Sequence, residues 1–248
     1  DVDSDIAVTA NNIILSGPDS ANYQMNPVSG LSADITPLTL DLKATAIDKN
    51  FDGTTEATNL VTLTAQNVVA GDEVTFTFTA DFSDPSVGTG KYIGVEVSAL
   101  GGTDAFNYAI PAPNFFGDST ATFANILRAM LTVNIINTPT KVYDGNNLIS
   151  LTTTDYEVIG LAAGESVTIN QTEGTFDSED VLSATSISAL LAFANFEPAS
   201  GTLLSSYILP TEATGAGAIT PLALTGSIAD SGSTYGDALV TGAVTLDN

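Results

Sequence analysis

Three sets of side chains in this sequence are of types that could do chemistry. Asp1, Asp3 and Asp5 alternate in one acidic run, and Asp177, Glu179 and Asp180 stand together in a second. Carboxylates so spaced could supply oxygen ligands to a hard cation such as Ca2+. The first run departs from a calcium-binding EF-hand loop: its sixth position is Ile6 instead of Gly, and its twelfth is Asn12 instead of Glu. The simpler role of both runs, and of the oxygen-rich turn at Asp81 and Asp84, is that of solvated acidic loops. The third set is lysine with its turn, Lys49 before Phe51-Asp52-Gly53 and Lys141 before Tyr143-Asp144-Gly145. A lysine held beside Asn or Asp could form an isopeptide crosslink, with loss of ammonia or water. The simpler role is a salt bridge or a solvated lysine.

What is missing limits the chemistry further. The chain has no His and no Cys. That removes Ser-His-Asp and Cys-His nucleophile systems, the usual zinc sites and histidine acid–base catalysis. Gly88-Thr89-Gly90-Lys91 lacks Walker spacing, since Tyr92 follows the lysine and Asp84 holds the first Gly position. Chance carboxylate pairs are expected among 29 acidic residues, so they carry no glycosidase signal. No enzymatic activity is expected. The only basic residues are Lys43, Lys49, Lys91, Arg128 and Lys141, and the net charge is −24. Nucleic acid and anionic membrane surfaces are therefore poor partners. No apolar run is long enough for a membrane-spanning helix.

The aromatic-Asp-Gly turn is periodic. Phe51 and Tyr143 are 92 residues apart, and Tyr235-Gly236-Asp237 repeats the interval in weaker form. Ile35-Thr36-Pro37-Leu38 matches Ile219-Thr220-Pro221-Leu222 at twice that distance. Leu100-Gly101-Gly102 through Asn107-Tyr108 echoes Leu15-Ser16-Gly17 through Asn22-Tyr23, and a degraded copy runs from Ala199 to Tyr207. Boundaries near 37, 129 and 221 follow. They give the end of one module over 1–37, complete modules over 38–129 and 130–221, and the start of another over 222–248. The chain thus reads as a piece of a longer polypeptide.

Elements that would carry these turns have a period of two. Val74, Phe76, Phe78 and Ala80 alternate with threonines; Ile93, Val95, Val97 and Ala99 alternate with Gly94, Glu96 and Ser98; Leu131, Val133 and Ile135 do likewise. Such alternation predicts half-buried strands. Ile6 to Leu15 also reads as a strand. Ser183 to Ala194 could offer a helical face through Ile187, Leu190, Leu191 and Ala194, but its alignment with 91–99 favours a strand. Asp19 and Asp104 are placed to cap single helical turns, each leading to a Tyr that returns to the core. Short strands with turns every 8–12 residues predict an all-β fold of tandem, Ig-like β-sandwich modules of about 92 residues; β-grasp-like modules are the alternative. Asp-Gly predicts a tight turn anchored on the core by its aromatic. Most Phe and Tyr fall at positions that look buried, and Asn114-Phe115-Phe116-Gly117-Asp118 reads as an inserted loop.

These motifs in this order resemble the YDG-type repeat of large bacterial surface proteins: Lys-x-Tyr-Asp-Gly, a Gly-Asp turn, Val87-Gly88-Thr89-Gly90-Lys91, Leu-x-Gly-x-Asp-x-x-Asn-Tyr and Ile-Thr-Pro-x-x-Leu. The second module carries Val181-Leu182-Ser183 in place of the Gly-Thr-Gly-Lys stretch. From Leu222 onward the chain resembles the related MBG-type repeat. The resemblance implies filamentous-haemagglutinin-like adhesins exported by two-partner secretion. It implies an extracellular, cell-surface stalk or scaffold supporting attachment and biofilm matrix, and no catalysis. Neighbouring repeats are the expected partners, with other copies of the adhesin or surface glycans beside them. A glycan-binding module, Ca2+-dependent or not, is the alternative reading. No other cofactor is expected.

Overall fold

The computed structural model describes residues 1–26, 28–112 and 122–247, and the backbone of Phe115–Phe116. Among them every regular element is a β-strand or a three-residue 3-10 turn. The chain divides into two compact units, Asp1–Asn50 with Thr54–Leu127, and Phe51–Gly53 with Arg128–Asn248.

The first unit is built on the long antiparallel pair Thr75–Phe82 and Gly88–Gly101. Thr122–Leu127 extends this sheet, and Lys49–Asn50 joins Thr122–Leu127 in parallel. Ile93, Val95 and Val97 are at most 1% exposed, so the alternation read from the sequence does bury one face. Each such side chain contributes roughly 1.5–3 kcal/mol on burial. Ala99 does not continue the series. The register shifts between Thr77 and Phe78, leaving Ser98 as the extra residue of a β-bulge. Beyond it the phase inverts: Ala99 is exposed and Leu100, opposite Phe76, is half-buried.

The second unit carries a six-stranded sheet. In spatial order its strands are Leu148–Ser150, Glu173–Phe176, Ser186–Leu190, Glu212–Ala216, Thr132–Ile135 and Tyr156–Ile159. Its core gathers Val133, Ile135, Phe176, Ile187, Ala213 and Phe196. The 183–194 segment is a strand at Ser186–Leu190, with Ile187 and Ala189 buried and Leu190 turned outward. A helix would have buried Leu190; the sheet buries every second residue instead.

Both units close in the same way. Leu38–Thr39 pairs in parallel with Tyr108–Ala109, as Ala129–Met130 does with Tyr207–Ile208. Lys49–Asn50 pairs in parallel with Ile126 and Leu127, as Thr140–Val142 does with Ala218–Thr220. The start of each repeat is thus bonded to its end.

Two expectations fail for local reasons. The strand expected from Ile6 to Leu15 stops at Val8. Asn12 takes a left-handed backbone (φ 57°), which Asn tolerates and an extended strand does not. The single helical turns form at Ser20–Asn22, Ala105–Asn107 and Leu204–Ser206, but neither Asp19 nor Asp104 caps its turn. The Asp104 carboxylate instead accepts the backbone N–H of Glu73 at 2.9 Å and the Thr103 hydroxyl at 3.0 Å. The following Tyr is buried at 108 and 207 but exposed at 23.

Gly102 and Gly201 begin equivalent turns with φ near +97° and +95°. A Cβ on Gly102 would collide with the Glu73 carbonyl, whereas one on Gly201 would meet open space. Gly201→Ala is therefore expected to cost about 1 kcal/mol of left-handed strain, and Gly102→Ala about 2–4 kcal/mol. Urea unfolding of the two variants checks this; equal losses would mean that the Glu73 backbone yields freely.

Candidate functional site

The repeated turn is organised by its lysine. Lys141 Nζ donates to Asp144 Oδ1 at 2.6 Å, Asn146 Oδ1 at 2.8 Å and the Leu148 carbonyl at 2.9 Å. Lys49 Nζ donates to the Thr54 carbonyl at 2.8 Å, the Thr54 hydroxyl at 3.1 Å and the Glu56 carbonyl at 3.1 Å. It also lies 5.6 Å from the centroid of the Phe82 ring. In both copies the ammonium reaches residues five and seven ahead, and takes the place that a bound cation would take in a loop of converging oxygens. Gly53 (φ 78°) and Gly145 (φ 77°) let the backbone reverse around it. The Asp144 carboxyl is held below its ordinary range, first by its hydrogen bond to Lys141.

An ammonium that donates all three N–H bonds offers no lone pair for attack on a neighbouring amide. The intact mass of the folded chain is therefore expected to equal the mass of its sequence. A deficit of one ammonia or water would establish a lysine crosslink.

The aromatics of the three turns differ. Phe51 is half-buried, Tyr143 is 38% exposed and Tyr235 is fully exposed. Anchoring on a core therefore applies to Phe51 alone. Phe51 stands edge-on to Tyr207 with ring centroids 5.5 Å apart, and packs against Ala129 and Leu131. Asp52 is exposed, as is Gly236, whose backbone is again left-handed.

A second constellation recurs that sequence reasoning missed. Tyr108 Oη donates to Asp72 at 2.7 Å and accepts the Val69 N–H at 2.9 Å. Tyr207 Oη donates to Glu165 and accepts the Ala162 N–H at 2.9 Å. Burial, then the carboxylate, pushes the Tyr207 hydroxyl up to about 12. The signal was present in the matching turns Ala70-Gly71-Asp72 and Ala163-Gly164-Glu165, each followed downstream by a Tyr.

The acidic runs are spread out. Asp1 accepts from Asn107 Nδ2 at 3.3 Å, Asp3 from the Ser4 N–H at 2.9 Å, and Asp5 from the Ser32 hydroxyl at 3.5 Å. Asp177 takes the N–H groups of Thr185 and Ser186 at 2.9 and 3.1 Å, and the Thr185 hydroxyl at 3.0 Å. Glu179 is exposed, and the Asp180 carbonyl accepts two amides of the following turn, from Ser183 and Ala184. Among the described residues no three Asp or Glu side chains converge as a metal site would require. Phe115–Phe116 pairs with Glu96 and Val95 as a short edge strand; the rest of that insertion lies outside the described residues. Phe106, Phe123 and Phe193 are more than half exposed, contrary to their expected burial. They occupy 3-10 turns or the outward positions of a strand.

Lys91 of the Gly-Thr-Gly-Lys stretch pairs with Asp84, and Ser86 donates to the same carboxylate. Asp84 is thereby pushed down to about 2, first by its bond to Lys91. The second module lacks this lysine, and there the backbone amides of Ser186 and Thr185 push Asp177 down to about 2. Both carboxyls titrate below their ordinary 3.8. The stability they contribute is complete above about pH 4 and is lost as pH falls through about 2. Asp177→Asn is expected to narrow its deficit against the parent chain over that window, measured by thermal midpoints from pH 6 to pH 2. A constant deficit would remove Asp177 from the acid response.

Two hollows accompany the repeated turns. In the second unit, Tyr143, Val181, Leu182, Pro221, Leu222 and Leu224 line an apolar hollow of about 620 Å3. In the first, Leu38, Val69, Asp72, Asn107 and Tyr108 line a smaller one of about 350 Å3, together with Asp1, Val2, Ile35 and Thr36. No helix among the described residues is long and apolar enough to cross a membrane.

No curated protein and no solved structure matches the chain. The YDG domain matches it twice, over residues 36–115 and 128–215, which together make up more than half of its length. Each match contains one lysine-centred turn and one Tyr–carboxylate pair. With two copies of that domain in succession, the chain belongs to the YDG domain family.

Proposed function

We propose that the chain is a structural stalk or scaffold segment of a large, secreted bacterial surface adhesin of the filamentous-haemagglutinin-like kind. The observation that carries this reading is repetition with no gathered cluster of Asp and Glu side chains among the described residues. Two YDG domains reproduce the same turn, a lysine that donates to the carbonyl seven residues ahead, and the same parallel closure. Their recurring lysines and tyrosine hydroxyls are bonded within their own modules. Selection for a ligand site concentrates chemistry at one place, whereas selection for a spacer repeats a fold. Each module is read as an Ig-like sandwich, and residues 222–248 as the start of an MBG-type repeat. Its place is outside the cell, where folding without disulfides suits modules that bury cores of their own.

A stalk bears load module by module. Stretching single molecules of the chain is expected to give two unfolding events, each lengthening it by about 300 Å, because about 92 residues extend at roughly 3.4 Å apiece. Smooth extension without discrete events would count against a load-bearing role.

A further inference from the structure

We infer that the second unit holds a binding site for a small apolar carboxylate, a molecule with an alkyl or aryl body and one anionic end. The inference goes beyond the stalk reading and does not rest on it.

The apolar part is a hollow of about 520 Å3, within the size range of small-molecule sites. Its deepest lining is Leu191, Phe196 and Tyr207, all buried, while Phe193 and Ile208 stand exposed at its rim. Phe193 is 72% exposed and is held in that position. It opens the 3-10 turn Phe193–Asn195. Asn195 Oδ1 accepts the Ala192 N–H at 2.8 Å, and Asn195 Nδ2 donates to Asn170 Oδ1 at 3.2 Å, so the turn is tied on both sides. A rim fixed in advance loses little freedom when a ligand covers it. The Tyr207 hydroxyl is already bonded to Glu165 and to the Ala162 N–H, which leaves its ring as the part that a ligand meets.

The charged part is Arg128, which lines the same hollow. Among the described residues its side chain has no hydrogen bond and no ion pair, whereas Lys49, Lys91 and Lys141 are each bonded within turns of their own. No Asp or Glu lines this hollow. Three other hollows each include carboxylates: Asp180 beside Tyr143, Asp72 beside Tyr108, and Asp81 with Glu96 beside Tyr92. In a chain with 29 acidic and five basic residues, an apolar hollow with a cation and no acid is a local reversal of sign.

Arg128 also departs from the repeat. Thr36 stands one 92-residue period before it and Thr220 one period after, each within Ile-Thr-Pro, where this copy reads Leu127-Arg128-Ala129. A free guanidinium takes a carboxylate through two parallel N–H···O bonds. The net charge of −24 opposes an approaching anion. At about 0.15 M salt, however, exposed charges more than about 8 Å away are largely screened, and Arg128 is the charged side chain that lines the site.

The test is an NMR titration of the intact, 15N-labelled chain with octanoate, its uncharged counterpart octanol and the shorter hexanoate. Octanoate is expected to give one saturable curve, with amide shifts confined to the surroundings of Phe193, Ile208 and Arg128. Hexanoate, shorter by two methylenes, is expected to bind about tenfold more weakly. Arg128→Gln is expected to weaken octanoate about fivefold and to leave octanol unchanged. Phe193→Ser is expected to weaken both about fivefold. Both substitutions alter exposed side chains, and the amide spectrum confirms that each variant folds. No saturation up to about 10 mM, shifts scattered over the surface, or octanoate binding to Arg128→Gln as to the parent overturns the proposal. So does an equal loss of octanoate and octanol in Arg128→Gln. Unfolding under force tests the stalk separately and is unaffected by any of these results.

Discussion

The parallel bond between the start and the end of each repeat is the constraint from which the rest of the fold follows. Parallel neighbours cannot be joined by a tight turn, so everything between them must travel out and back across the module. In the second unit that excursion builds the six-stranded sheet and encloses Phe176 and Ile187. The closing pairs are short: Leu38 stands opposite Tyr108, and Ala129 opposite Tyr207. They are reinforced by the same tyrosines, whose hydroxyls hold the Ala-Gly-acid turn from the middle of the chain. Each tyrosine thus ties three distant parts of its module together: first strand, central turn and last strand.

Legibility in the sequence followed the range of the interaction. Val95, Val97, Val133 and Ile135 could be read as core because the pleat alone sorts them. The bulge at Ser98 could not, because it exists only against Thr77 and Phe78 of the partner strand. Asp104 fits a cap by local spacing, yet its carboxylate answers to Glu73, 31 residues away. The tyrosine hydroxyls meet carboxylates 36 and 42 residues upstream, and nothing local joins those halves. Recurrence was visible for the lysines, but a recurring lysine does not reveal its acceptors. The exposed aromatics failed for a different reason: Phe123 sits on an outward strand position, and hydrophobic type alone does not select a face.

Charge is distributed with a purpose that composition conceals. Three of the five basic side chains, Lys49, Lys91 and Lys141, close turns of their own modules. That leaves the surface strongly anionic, with few cations to draw anionic partners. Where a second module lacks the lysine of the Gly-Thr-Gly-Lys stretch, backbone amides take over the neighbouring carboxylate at Asp177. Cation and amide dipoles are interchangeable here because the task is local: satisfying an acid at a strand end.

Parallel closure also decides how a module meets tension. Where first and last strands run side by side in the same direction, the chain enters at one end of the pair and leaves at the other. A pull on the two ends slides the strands along each other, so the bonds from Leu40 to Ala109, Leu131 to Ile208 and Tyr143 to Thr220 are loaded together in shear. An antiparallel closure would be peeled open one bond at a time. With equal numbers of hydrogen bonds, the sheared arrangement fails more slowly, and resistance to a sustained pull is a matter of rate more than of equilibrium stability.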